Sequence, residues 1–113
     1  MVNPIVYGRL VRAAKARATV TLADLGRAAD LSPADADQRT ILDLILDHIA
    51  DHEAAEGRPL LPAVVTAAAG GPPGAGLARY ARRKGLPLDD PAFVEAELGR
   101  VYDHWAKAEP PAE

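Results

Sequence analysis

A chain of 113 residues, 49% of them apolar, is long enough to bury one core and short for two domains. It contains no cysteine, which excludes disulfides, thiolate metal sites and cysteine nucleophiles and is compatible with a reducing cytoplasm. The net charge of -3 is banded: residues 1–29 hold five cations against Asp24, and residues 30–56 hold eight acids against Arg39. Residues 57–88 then hold Arg58, Arg79, Arg82, Arg83 and Lys84 with no acid, and 89–113 hold seven acids against Arg100 and Lys107.

Asn3 before Pro4 is a helix-start signal, with Asn as N-cap and Pro at the first helical position. The spacing predicts a helix over 4–17, with Val6, Leu10, Ala13 and Ala14 on one stripe and Arg9, Arg12 and Lys15 on the other side. After an extended link at Thr19-Val20, Thr21 and Asp24 resemble a capping box for a short helix over 22–30. Ser32-Pro33-Ala34-Asp35 repeats the N-cap and Pro signal and predicts a long third helix over 33–56. Its apolar stripe is read as Ile41, Leu42, Ile45, Leu46 and Ile49, with Asp43, Asp47 and Asp51 opposite.

Gly57 stops that helix as a C-terminal glycine cap. Residues 60–66 are short, apolar and rich in branched side chains, which predicts a strand, with Pro62 confining it to an edge or a bulge. Residues 67–76 read as a flexible Gly/Pro loop, 77–84 as a fourth helix ended by Gly85. A fifth helix starts at Asp90-Pro91 and buries Val94, Leu98, Val101 and Trp105; residues 109–113 form a disordered tail after a single domain over 1–108. The predicted fold is mainly α with a short strand or hairpin, in the order of a winged helix-turn-helix with extra C-terminal helices.

Arg39 to Gly57, Gly57-Arg58-Pro59-Leu60-Leu61 with Ala63-Val64-Val65, Pro73-Gly74-Ala75-Gly76, and Val101-Tyr102 to Trp105 resemble an uncharacterised family of small bacterial proteins of this length. The likeness covers most of the chain and implies a winged-helix-like fold without an established activity. Members carry an aromatic after the PGxG element and a Ser where Pro62 stands; here Leu77 and Pro62 occupy those places. A more distant resemblance is to the C-terminal domain of DNA alkyltransferases and their cysteine-less relatives, in Thr21-x-x-Asp24-Leu25, Arg39, and a strand before a Gly-rich turn. Pro62 is followed by Ala63-Val64-Val65 in place of the alkyltransferase Pro-Cys-His-Arg, so alkyl transfer is excluded and the likeness implies DNA binding alone.

The charge bands have two readings. Either acidic and basic helices pack beside one another, or the basic segments gather on one face and bind an anion. Asp35, Asp37, Asp43, Asp47 and Asp51 on the long helix oppose a polyanion. Nucleic-acid contacts are therefore assigned to Arg9, Arg12, Lys15, Arg39, Arg58, Arg79, Arg82, Arg83 and Lys84. Basic residues near the end of 77–84 also favour the negative end of that helix's dipole. His48 and His52 stand one helical turn apart, a spacing that suits a metal, but only His104 remains as a third histidine and packing against the strand is the preferred role. Glu53 and Arg58 are read as an ion pair that fixes the turn after the helix. Ser32, the one serine, is used as a cap, and the loop 70–76 is read as a turn ahead of an anion cradle.

Neither catalysis nor a cofactor is expected. No window approaches the ~18 apolar residues of a membrane helix, and the N-terminal segment carries no secretory pattern. A bacterial, cytoplasmic binding domain is expected: a regulatory nucleic-acid-binding protein acting as a dimer on DNA. The alternative is a protein-interaction module of adaptor or immunity/antitoxin type, docking through its acidic long helix or the Val94/Leu98/Val101/Trp105 face.

Overall fold

The computed structural model describes residues 2–107 and is mainly helical. The elements are α1 (Pro4–Lys15), β1 (Val20–Thr21), α2 (Leu22–Ala29), α3 (Ala36–Ala55), a 3-10 turn (Leu61–Val64), β2 (Val65–Thr66), a second 3-10 turn (Ala75–Leu77), α4 (Ala78–Lys84) and α5 (Pro91–Lys107). The tail over 109–113 lies outside the described residues. Among the described residues no helix is long and apolar enough to cross a membrane.

Local chemistry starts the first two helices where the sequence indicates. Asn3 Oδ1 accepts from the N–H groups of Ile5 and Val6, both at 3.0 Å, and Thr21 Oγ1 accepts from Asp24 N–H at 3.0 Å. Each satisfies donors that the first helical turn cannot. α2 ends at Asp30, in the left-handed region at φ 60°, and the chain folds straight back: a Cβ on Gly26 would lie 2.3 Å from Leu31 O. Only glycine admits that approach, and it sets α2 and α3 around a tight turn.

α3 begins later than expected. Asp35, not Ser32, is the N-cap, accepting from Gln38 N–H at 3.0 Å, while Gln38 Oε1 accepts from Ser32 N–H at 2.7 Å. The helix is also turned relative to its predicted stripe. Leu42, Leu46, Ile49 and Ala50 are buried, but Ile41 is exposed, and Asp47, assigned to the outer side, is only 8% exposed. Apolar residues nearly surround this helix, so periodicity left its direction open; the cations of α4 drew Asp47 inward.

The expected strand over 60–66 is corrected. Leu61–Val64 is a buried 3-10 turn, and only Val65–Thr66 is extended. Proline's fixed φ near -65° suits the 3-10 turn and denies a ladder donor, so Pro62 directs the backbone into it. Ala63 N–H donates to Leu60 O at 3.0 Å. β2 then pairs with β1 in parallel, Val20 beside Val65 and Thr21 beside Thr66. These two strands form no hairpin; a parallel pair requires a crossover, which α2 and α3 supply. A lone antiparallel bridge, Thr66 to Pro73, closes the following loop. That loop is tied down rather than freely flexible: a Cβ on Gly76 would meet Pro62 O at 2.5 Å and Val65 Cβ at 2.7 Å, so its end lies directly on the first 3-10 turn.

The core gathers around that turn. Leu61, Ala63, Val64 and Val65 meet Val6, Leu10 and Ala14 of α1, Leu22 and Leu25 of α2, the inner face of α3, Leu77, Tyr80, and Val101 of α5. Each fully buried Leu or Val contributes about 1.5–3 kcal/mol relative to exposure. α5 lies across α1 and the turn, with Val94 and Val101 buried and Leu98 and Trp105 half-buried against the core. Its apolar face is therefore spent inside the molecule.

Candidate functional site

The cations assigned to nucleic acid separate into those the fold consumes and those it leaves at the surface. Arg58 is consumed. Glu53, 0% exposed at the end of α3, accepts from Arg58 Nε at 3.1 Å and Nη2 at 2.9 Å, and from the Tyr7 hydroxyl at 3.0 Å. Arg58 Nη2 also lies 3.2 Å from His52 Nε2, a nitrogen that accepts when it faces a guanidinium donor. Burial first, and then the Glu53 carboxylate, push the Tyr7 hydroxyl up to about 12; the Glu53 hydrogen bond pushes Arg58 up. Tyr7 stands edge-on to both His52 and Trp105, and His104 edge-on to Trp105. The predicted Glu53–Arg58 pair thus ties α3 to the turn and, through Tyr7, to α1.

A second set of ion pairs joins α3 to α4. Arg83 reaches Asp47 through Nη2 at 2.7 Å and Nε at 3.0 Å, and Asp51 through Nη2 at 2.8 Å. Arg79 Nε lies 3.3 Å from the same Asp47. The Asp47 hydrogen bond pushes Arg83 up. Arg83 and Lys84 also sit over the Tyr80 ring, at 5.6 and 5.9 Å. Acidic α3 and basic α4 are mutually complementary, the first of the two readings of the charge bands. At the far end of α1, Arg17 pairs with Asp103 at 2.9 Å while Tyr102 donates to Ala18 O at 2.9 Å. Buried Glu97 accepts from Leu60 N–H at 2.7 Å and is paired with Arg100.

Arg9 and Arg12 are different. Both are exposed on α1, one turn apart, with no acidic partner among the described residues. They border a shallow cleft of about 210 Å³ with Ala13, Ala16, Ala18, Thr19 and Val20. Lys15 follows them on the helix and is half-buried. Arg82 on α4 is exposed and likewise lacks an acidic partner among the described residues. Arg39 bonds Asp43 at 3.1 Å within one turn of α3, with its side chain 40% exposed. Such exposed pairs are worth about 0.3–0.5 kcal/mol, so Arg39 is released at little cost.

Of the two histidines expected to pack against the strand, His52 is half-buried, whereas His48 is exposed. Among the described residues no group of three His, Cys, Asp or Glu is placed to hold a metal ion. In the Gly/Pro loop, Gly71, Gly74, Leu77 and Ala78 donate their N–H groups to Ala68, Val65, Gly74 and Ala75 carbonyls. Those amides are spent on closing the loop. A cleft of about 450 Å³ at the α2–α3 turn contains Ser32, which has no hydrogen-bonded base among the described residues.

Tyr7, Asp47 and Glu97 carry polar work that the sequence did not assign to them. Their partners lie 46, 36 and 37 residues away, beyond any helical or turn spacing. A usable signal existed only for Asp47: an acid four residues before another, Asp51, facing two arginines four apart in the next helix. No protein-family model, curated protein or solved structure matches this chain.

Proposed function

We propose that this chain is a non-catalytic binding domain, a regulatory nucleic-acid-binding protein that contacts the phosphate backbone through the Arg9–Arg12 edge of α1, with Arg39 as an additional contact. The observation that carries this reading is the pair of exposed arginines beside the α1–β1 cleft that have no acidic partner among the described residues, in a protein that neutralises Arg58, Arg79 and Arg83 internally. The short helix, Gly26-tightened turn and long helix support a helix-turn-helix reading, and the loop closed by the Thr66–Pro73 bridge follows the long helix in chain order. With three phosphates neutralised, counterion release makes affinity fall about 40-fold between about 50 and 200 mM salt. Fluorescence anisotropy of labelled duplex and single-stranded DNA at those two salt concentrations tests it. Salt-sensitive binding that weakens in Arg9→Ala and Arg12→Ala supports the reading, and no binding at micromolar protein in low salt sinks it.

A second reading, a protein-interaction module of adaptor or immunity/antitoxin type, is favoured by α3. Ile41 and Leu44 are 46% and 43% exposed one turn apart on its outer face, among acids. Large apolar side chains grouped at the surface are a feature of docking faces. The α5 face does not support this reading, because Val94 and Val101 are only 6% and 0% exposed.

A further inference from the structure

The outer side of α3 carries an ordered pattern. Asp37, Ile41, Leu44 and His48 are separated by four, three and four residues, the spacing that lines up one seam along a helix, and all four are exposed. That is the a/d spacing of a helix that pairs with another helix, with apolar side chains at its two central positions and polar ones at its ends. Leu42, Leu46, Ile49 and Ala50 hold the opposite side of α3 in the core, so the seam is additional to the folding face.

The charges decide what can lie on it. A parallel second copy would set Asp37 against Asp37, and like charges facing one another oppose association. An antiparallel copy centred on Leu44 would set Asp37 against Asp51. Moving the two-fold to lie between Leu42 and Asp43 sets Ile41 of each copy against Leu44 of the other and Asp37 against His48. The two apolar contacts and two carboxylate–imidazole contacts then repeat by symmetry, as an isologous interface requires. An imidazole N–H donates to a carboxylate whether or not the ring is charged. Asp51, at the end of the seam, already has its charge matched by Arg83 at 2.8 Å.

We infer that a second copy of this chain docks antiparallel along α3, with Ile41 on Leu44 and Asp37 on His48 of the other copy. This rests on the reading of α3 as a docking face and is independent of nucleic-acid binding. The paired segment, eleven residue steps from Asp37 to His48, is about 17 Å long, so the contact is smaller than a standard interface and the dimer is weak.

Sedimentation equilibrium of the full chain without nucleic acid, from about 10 µM to about 1 mM, spans the range for such a contact. The expected result is a reversible monomer–dimer equilibrium. Ile41→Asp removes it, with unchanged circular dichroism because the side chain is exposed. Asp37→His and His48→Asp each weaken it about 10-fold, and the double exchange Asp37→His/His48→Asp restores it to within about 3-fold, since the pair is re-formed with its partners swapped. A monomer at every concentration overturns the inference, as does a dimer indifferent to Ile41→Asp or an exchange that restores nothing. A monomer that captures a different protein through Ile41 overturns self-pairing and leaves the docking-face reading standing.

Discussion

Replacing Arg58 with alanine leaves the Glu53 carboxylate at 0% exposure with a single side-chain donor, the Tyr7 hydroxyl, in place of three hydrogen bonds. Removing one partner of a buried pair costs about 3–5 kcal/mol, because the remaining charge stays buried without compensation. The Arg58 side chain is 25% exposed, so water already reaches one side of the guanidinium and the lower end applies, about 3 kcal/mol. Against a total stability of about 5–15 kcal/mol, that is a large fraction. Trp105, the sole tryptophan, stands edge-on to Tyr7, its ring centre 6.3 Å away, so its fluorescence reports on this cluster during urea unfolding. Arg58→Lys retains the charge but not the two-pronged contact and is expected to lose about 1–2 kcal/mol. Replacing all three members, Tyr7→Phe, Glu53→Leu and Arg58→Met, is expected to stay within about 1 kcal/mol of the parent, since the burial cost of the charges disappears with them. A loss under about 1 kcal/mol for Arg58→Ala would refute the argument, because it would mean Glu53 is solvated as well without its cation as with it.

The other expectations address separate links. Gly76→Ala pushes a methyl to 2.5 Å from Pro62 O, and overpacking of that kind costs about 1–3 kcal/mol, measurable as a lowered urea midpoint with an unchanged slope. Asn3→Ala removes the acceptor of two N–H groups and is expected to cost about 1 kcal/mol, read from thermal unfolding followed by circular dichroism at 222 nm. Tyr7 is neutral when bound to Glu53 and is raised from 10.0 to about 12. The unfolded chain therefore releases this proton first, so the contribution is complete below pH 10 and is lost as pH rises toward 12. Discounted for the partial exposure of the ring, that is about 1 kcal/mol, and the stability of the parent relative to Tyr7→Phe is expected to fall by that amount between about pH 9 and 11.5. Parallel stability curves for the two proteins over that range would contradict the assignment.

Signals that act over one or two turns were legible in the sequence. Asn3 and Thr21 cap the helices that follow them, Gly57 and Gly85 end theirs at φ 72° and 71°, and Glu53 pairs with Arg58 five residues on. Capping and left-handed glycine depend on adjacent backbone, so the residues alone carry them. Residues 60–66 misled, because branched apolar side chains suit a strand while Pro62 and the approach of Gly76 favour a 3-10 turn. The exposed edge at Arg9 and Arg12 was visible as a basic band, but which bands were free was not. Arg79 and Arg83 are removed from the surface supply by Asp47, more than thirty residues earlier. The charge bands, the caps at Asn3 and Thr21 and the order of the helices were thus determined by the sequence itself. The rotation of α3, the parallel pairing of Val20 with Val65, and the division between neutralised arginines and those without an acidic partner among the described residues were decided by tertiary structure, since each depends on which helix covers which face once the core closes around Leu61–Val64.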